Sequence, residues 1–171
     1  MLRQIGIEPA RILAPDIDET PRADEAPRAY ALRMALAKLT PDDAAYVIAA
    51  DTVVSAGRRI LHKTATPNEA EAYLRLLAGR RHKVFTGIAV RAPDGRVASR
   101  VVTSVVGFAR LDDGQIRDYL ASGEWEGKAG GYAIQGRAAA FVDFVAGSYS
   151  AVVGLPLHET SQLLRGLGYR I

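Results

Sequence analysis

Two near-continuous apolar runs, residues 47–54 and 84–90, limit what this chain can fold into more than any other feature. Successive side chains of a strand point to opposite faces, so an unbroken apolar run fits a strand covered on both sides. Between the runs lies a well-marked helix. Thr66 caps it, Pro67 takes its first position and Glu69 completes a capping box. Ala70, Tyr73, Leu74 and Leu77 then form a helical stripe, and Gly79 stops it. Pro93-Asp94-Gly95 predicts a turn that folds the second run back into residues 97–111 as a long hairpin. A further short strand is expected over 141–145.

Other helices are expected on either side of this block. One spans 24–39, with Leu32, Ala35, Leu36 and Leu39 on one face and Pro41-Asp42-Asp43 as its stop. Another spans 112–122 through Ile116, Tyr119 and Leu120, closed by Gly123. The last begins near Pro156, presents Leu157, Thr160, Leu164 and Leu167, and ends at Gly166 or Gly168. Alternating strands and helices define an α/β fold, a mixed twisted sheet with flanking helices. At 171 residues one domain is expected.

Charge and composition exclude several functions. The net charge is only +3, and the basic residues are interleaved with acids rather than gathered in a stripe, which disfavours nucleic-acid binding. A small anionic ligand suits this modest excess better. No apolar run nears the roughly 20 residues that span a bilayer, so no membrane partner is expected. The chain holds no cysteine, which removes disulfides, thiolate metal sites and cysteine nucleophiles. A cytoplasmic location is the default expectation.

The chemistry gathers in three segments. Asp51 stands inside the first apolar run, where an unpaired carboxylate is costly to bury. It must be paired, hydrogen-bonded or part of a site; otherwise it caps a strand end. Residues 127–136 carry Gly127, Gly130, Gly131 and Gly136, whose backbone N–H groups are expected to stand open to an anion. Lys128 adds a compact charge for phosphate, and Gln135 offers a donor and an acceptor for a nucleobase edge. Residues 147–157 place glycines and serines just before a helix, another place suited to an anion. Glu19, Lys38 and Lys63 are further charged candidates, whereas His62, His82 and His158 lack ligand spacing and Trp125 is expected to pack beside the loop.

Taken in order, these segments resemble the Maf family of nucleoside triphosphate pyrophosphatases. The residues that carry the resemblance are Asp16-Ile17-Asp18-Glu19, Ala35-Leu36-Ala37-Lys38, Ala49-Ala50-Asp51-Thr52-Val53-Val54 and Thr86-Gly87-Ile88-Ala89-Val90. Ser122-Gly123-Glu124, Lys128 through Gly136, and Gly147-Ser148-Tyr149 with Gly154-Leu155-Pro156-Leu157 complete it, so that it covers nearly the whole chain. The form of residues 128–136 is similar to the branch acting on dTTP and UTP. The resemblance implies hydrolysis of these or modified nucleotides to the monophosphate and pyrophosphate. It implies a two-lobed fold similar to inosine triphosphate pyrophosphatase, a divalent metal cation (Mg²⁺ or Mn²⁺) and often a homodimer. Asp51 matches the proton acceptor, Thr52 and Gln135 the base-selecting positions, and Lys38, Lys63 and Lys128 the substrate-binding cleft. Glu19 and Asp51 are the implied metal ligands.

His62 and Thr64 flank Lys63 where the family has Gly and Pro, and Trp125, Gly127 and Ala151 also depart from its usual residues. The family opens with a strand and Ser-x-Ser-Pro-Arg-Arg before a sequence like Leu2-Arg3-Gln4-Ile5-Gly6-Ile7. Met1 falls inside that helix, so the strand and the arginines are expected to be absent from this chain. A catalytically weak nucleotide-binding regulator of cell division or stress is the alternative function.

Overall fold

The structure is a computed structural model and describes residues 1–42 and 44–170. A five-stranded sheet runs in the order β2-β1-β3-β4-β5, with β1 at Val47–Ala56, β2 at Arg59–Leu61, β3 at Arg81–Arg91, β4 at Val97–Phe108 and β5 at Val142–Ala146. Five α-helices flank it: α1 Pro27–Ala37, α2 Pro67–Leu77, α3 Asp113–Ala121, α4 Tyr149–Val153 and α5 Leu157–Gly166. Single 3-10 turns occupy Leu2–Ile5 and Arg137–Phe141. The α/β class stands. All four pairings among the described residues are antiparallel, so the parallel component of a mixed sheet is not found there.

Burial separates the two apolar runs. β3 is buried at every position from Val84 to Val90, as the central strand between β1 and β4 should be. β1 is only partly covered around Asp51 and Thr52, because a cleft opens there. The hairpin of β3 and β4 forms as the Pro93-Asp94-Gly95 turn requires, with Gly95 at φ 87°. β4 stops at Phe108 rather than 111, since Ala109 turns away to donate its N–H to the Phe141 carbonyl.

The capping box of α2 is present as expected, the Thr66 hydroxyl accepting from the Glu69 N–H and the Glu69 carboxylate from that of Thr66. A second box, Asp112 with Gln115, starts α3. α1 is shorter than the expected 24–39, and its packing face differs. Tyr30, Ala31, Met34 and Ala35 are buried, whereas Leu36 is 40% exposed. Apolar residues encircle this helix, so periodicity alone selected the wrong stripe. Of its expected stop, Asp43 lies outside the described residues. The short helix α4, the strand β2 and both 3-10 turns are too brief to leave a periodic signal.

Close approach decides how α1 sits. A Cβ at Gly87 of β3 would lie 2.2 Å from the Ala31 carbonyl oxygen and 3.1 Å from the Ala35 side chain. Only glycine against alanine lets the helix lie this near the sheet. Asp51 is the cross-strand partner of Gly87, so the end of α1 is held next to that carboxylate. Gly87→Ala is therefore expected to cost about 1–3 kcal/mol through overpacking against helix backbone. A thermal or urea unfolding curve measures that loss, and an unchanged midpoint would show that α1 can shift freely.

Three buried clusters make the core. The largest joins α2, α3 and the segment 125–141 beneath β1, β3 and β4, around Leu61, Leu74, Val84, Phe108 and Tyr119. A second unites α5 and Ile7 with Ile88 and Val90. The third holds α1 against Val53 and Phe85. Among the described residues no helix is long and apolar enough to cross a membrane.

Candidate active site

Asp51 does not lie unpaired in its strand. Its side chain is 10% exposed, and its Oδ1 accepts from Lys38 Nζ at 2.5 Å. Lys38 is the C-cap of α1, so the Gly87 contact described above places this ammonium. The same Nζ lies 2.8 Å from Glu19 Oε1, and the other Glu19 oxygen accepts from Lys63 Nζ at 2.8 Å. Asp51, Lys38, Glu19 and Lys63 thus form one line of alternating charge. Each carboxylate has its cation, as the cost of burying a lone charge demands.

The two carboxylates titrate in opposite directions. Burial raises the Asp51 carboxyl above the usual carboxylate range, and the hydrogen bond from Lys38 offsets this only in part. Hydrogen bonds from Lys38 and then Lys63 hold Glu19 below that range. Burial alone would lower the Lys38 ammonium, but its bonds to Asp51 and Glu19 leave it raised. A raised carboxylate beside lysines in a cleft is suited to accept a proton.

A cavity of about 290 Å³ opens on this line. Lys38, Asp51, Thr52, Lys63, Lys128 and Gln135 all border it, and Glu19 reaches it through its two lysines. All seven residues expected from the sequence therefore meet at one place. Lys63 arrives there through an isolated bridge to Ala129, which joins the segment after β2 to the glycine-rich loop. The charged side chains stand together, while Thr52 and Gln135 supply neutral polar edges and Val152, Val153 and Gly154 an apolar wall. Such a division suits a ligand with an anionic part and a flat heterocyclic part.

The glycine-rich loop works differently from expectation. The N–H groups of Gly127, Lys128, Gly130, Gly131 and Gly136 all donate to carbonyls of the protein itself, among them those of Thr64, Leu61 and His62. They do not stand open to an anion. The glycines instead allow close packing: Gly130, at φ 69°, sits so near Val54 that a Cβ would come within 2.8 Å of that side chain. Anion binding at this wall is left to the side chains of Lys63 and Lys128. Ser104 Oγ accepts from the Ser148 N–H and Ser150 Oγ from that of Leu157, so these N–H groups are also taken.

Two residues escaped the sequence reading. His82, set aside for lack of ligand spacing, is 3% exposed, and its Nε2 lies 2.7 Å from the Tyr132 hydroxyl. Burial lowers its pKa to about 4, so this neutral pair ties the loop to β3 at ordinary pH. His62 and His158 are exposed. Thr86 is fully buried behind Thr52 and bonded to it. Neither carries a periodic or charge signal, so only the register of β3 with β1 discloses Thr86. Trp125 is buried in the largest core cluster and donates from Nε1 to the Leu120 carbonyl at 2.9 Å, as packing beside the loop implies.

Fold and cleft together define an α/β protein with a lysine-bound carboxylate bordering a cavity of small-molecule size. The chain belongs to the Maf-like protein family, which it matches over residues 1–167. It is 54% identical over 176 residues to a dTTP/UTP pyrophosphatase of Caulobacter vibrioides, covering 99% of this chain and 90% of that protein. It is similarly 55% identical over 172 residues to a protein of the same description from Hyphomonas neptunium, again covering 99% and 90%. A third, from Rhizobium meliloti, is 50% identical over 181 residues, covering 100% and 88%.

Proposed function

We propose that this chain is a nucleoside triphosphate pyrophosphatase that hydrolyses dTTP and UTP, and modified nucleotides of like shape, to the monophosphate and pyrophosphate. One observation supports this above the rest. A mostly buried carboxylate with a raised pKa and three lysines border the same cleft as two neutral polar side chains, and relatives at about 50% identity are described as dTTP/UTP pyrophosphatases.

Asp51 accepts a proton from water as that water attacks the α-phosphorus. The new bond joins the water oxygen to that phosphorus, and the bond to the bridging oxygen breaks. Its electron pair leaves with pyrophosphate. Lys38, Lys63 and Lys128 balance the charge of the phosphates, which otherwise opposes an approaching nucleophile. Thr52 and Gln135 face the base.

Asp51 and Glu19, which converge on the Lys38 ammonium, carry the carboxylate oxygens that a hard divalent cation, Mg²⁺ or Mn²⁺, takes as ligands. Among the described residues no cluster of three or more His, Cys, Asp or Glu side chains could hold a metal. Two carboxylates match the way such ions bind when triphosphate oxygens complete the shell. When bound, the cation supplies further neutralisation of phosphate charge. A cytoplasmic location and a homodimer complete the proposal.

Release of pyrophosphate from dTTP, UTP, CTP, GTP and ATP, with and without Mg²⁺ or Mn²⁺, tests this reading directly. Metal-dependent turnover highest on dTTP and UTP is expected, and no turnover of either would overturn it. Gln135→Glu should depress activity on dTTP and UTP by roughly tenfold or more while changing GTP turnover little, since an amide can donate to a uracil carbonyl and a carboxylate only accepts. An equal fall on every base would assign Gln135 to loop structure instead.

A further inference from the structure

The hydrogen bonds behind Thr52 determine which way its hydroxyl proton points. Thr86 stands directly across from Thr52 in the β1–β3 ladder, and their Oγ1 atoms are 3.2 Å apart. Distance alone leaves either hydroxyl as donor. The second bond of Thr86 decides it, because its Oγ1 lies 2.7 Å from the carbonyl oxygen of Ala151 in α4. A carbonyl only accepts, and a threonine hydroxyl has one proton. Thr86 therefore donates to Ala151 and must accept from Thr52. The Thr52 proton is directed away from the cleft, and Thr52 shows the cleft only lone pairs.

We propose that Thr86 is a specificity-determining residue: it fixes Thr52 as a pure hydrogen-bond acceptor, so that the cleft selects a pyrimidine bearing an N3–H. Uracil and thymine carry that proton. Cytosine has a bare nitrogen at the same place, and two acceptors face to face repel. This inference rests on the pyrophosphatase reading and on Thr52 facing the base. Thr86 touches no ligand; it is 0% exposed and acts through Thr52. Its placement also explains a role for α4, whose Ala151 carbonyl anchors the relay while Val152 and Val153 line the cleft.

The experiment compares kcat/KM for UTP, CTP and N3-methyl-UTP in the wild type, Thr86→Val and Thr86→Ser. Valine keeps the shape and β-propensity of threonine, and the Ala151 carbonyl retains the Gly154 N–H at 3.0 Å, so the fold should persist. The wild type should favour UTP over both other substrates by at least about tenfold. Thr86→Val should cut the UTP:CTP ratio by about tenfold or more, because the freed Thr52 proton can turn to the cytosine nitrogen. Thr86→Ser restores the relay and should keep the wild-type ratio. An equal fall on all three substrates in Thr86→Val would make the residue merely structural and overturn the inference. Wild-type protein that hydrolyses N3-methyl-UTP as readily as UTP would overturn it without any variant. Wild-type protein that releases pyrophosphate from none of the three would overturn the pyrophosphatase reading and this inference together.

Discussion

Asp51→Asn should lower kcat by about 10²–10⁴-fold, the usual worth of a positioned general base. The substitution keeps the shape of the side chain and leaves an oxygen to accept from Lys38, so the fold should survive. Nucleotide binding should persist or tighten, since a negative charge near phosphate is removed. The pH profile separates Asp51 from its neighbour. A base works only when deprotonated, so activity rises as pH climbs through its pKa. Burial sets the Asp51 value above the ordinary carboxylate range, whereas Lys38 and Lys63 hold Glu19 below it. The acid limb of kcat/KM is therefore expected above that range and should vanish in Asp51→Asn. A limb below the range, or near wild-type turnover in Asp51→Asn, would transfer the role to Glu19.

Lys38→Met should give the largest loss of stability at the site. The Lys38 side chain is 17% exposed and lies between Asp51 and Glu19. Removing it leaves Asp51 buried with no cation in contact and a second carboxylate nearby. Breaking a buried pair in this way costs about 3–5 kcal/mol, with partial exposure favouring the lower end. The sign of its pH dependence follows from Asp51. Its folded pKa is already raised and would rise further without the lysine. Stability that depends on protonated Asp51 is present below the unfolded carboxylate value and lost as pH climbs through the folded one. The deficit of Lys38→Met against wild type should thus widen from acid to neutral pH. Adding Asp51→Asn should recover most of it. Urea unfolding at mildly acidic and at neutral pH measures both effects, and a deficit independent of pH would mean that Lys38 stabilises by packing alone.

The two local rules of the chain account for what could be read in advance. Capping boxes and Gly or Pro stops act within a few residues, so α2 was legible to its first residue and α3 nearly so. Near-continuous apolar runs marked β1 and β3, although only β3 is buried on both faces along the whole run. The cost of burying a charge singled out Asp51, and family resemblance carried Glu19, Lys38, Lys63, Lys128, Thr52 and Gln135 to the cleft that the structure displays.

By itself, then, the sequence determined the longer strands, the main helices and the α/β class, and it singled out Asp51. Tertiary structure decided the rest, because those features depend on residues distant in the chain. Which face of α1 packs was settled by Gly87, 52 residues beyond Ala35, and not by the helix's own pattern. Whether glycine N–H groups stand open was settled by the carbonyls of Leu61, His62 and Thr64 across the bridge at Ala129. The order of charges, with Lys38 between two acids, and the direction of the Thr52 proton are likewise properties of contact and register. A residue type states what a side chain can donate or accept. Only its neighbours in space decide which of these it has left to offer a ligand.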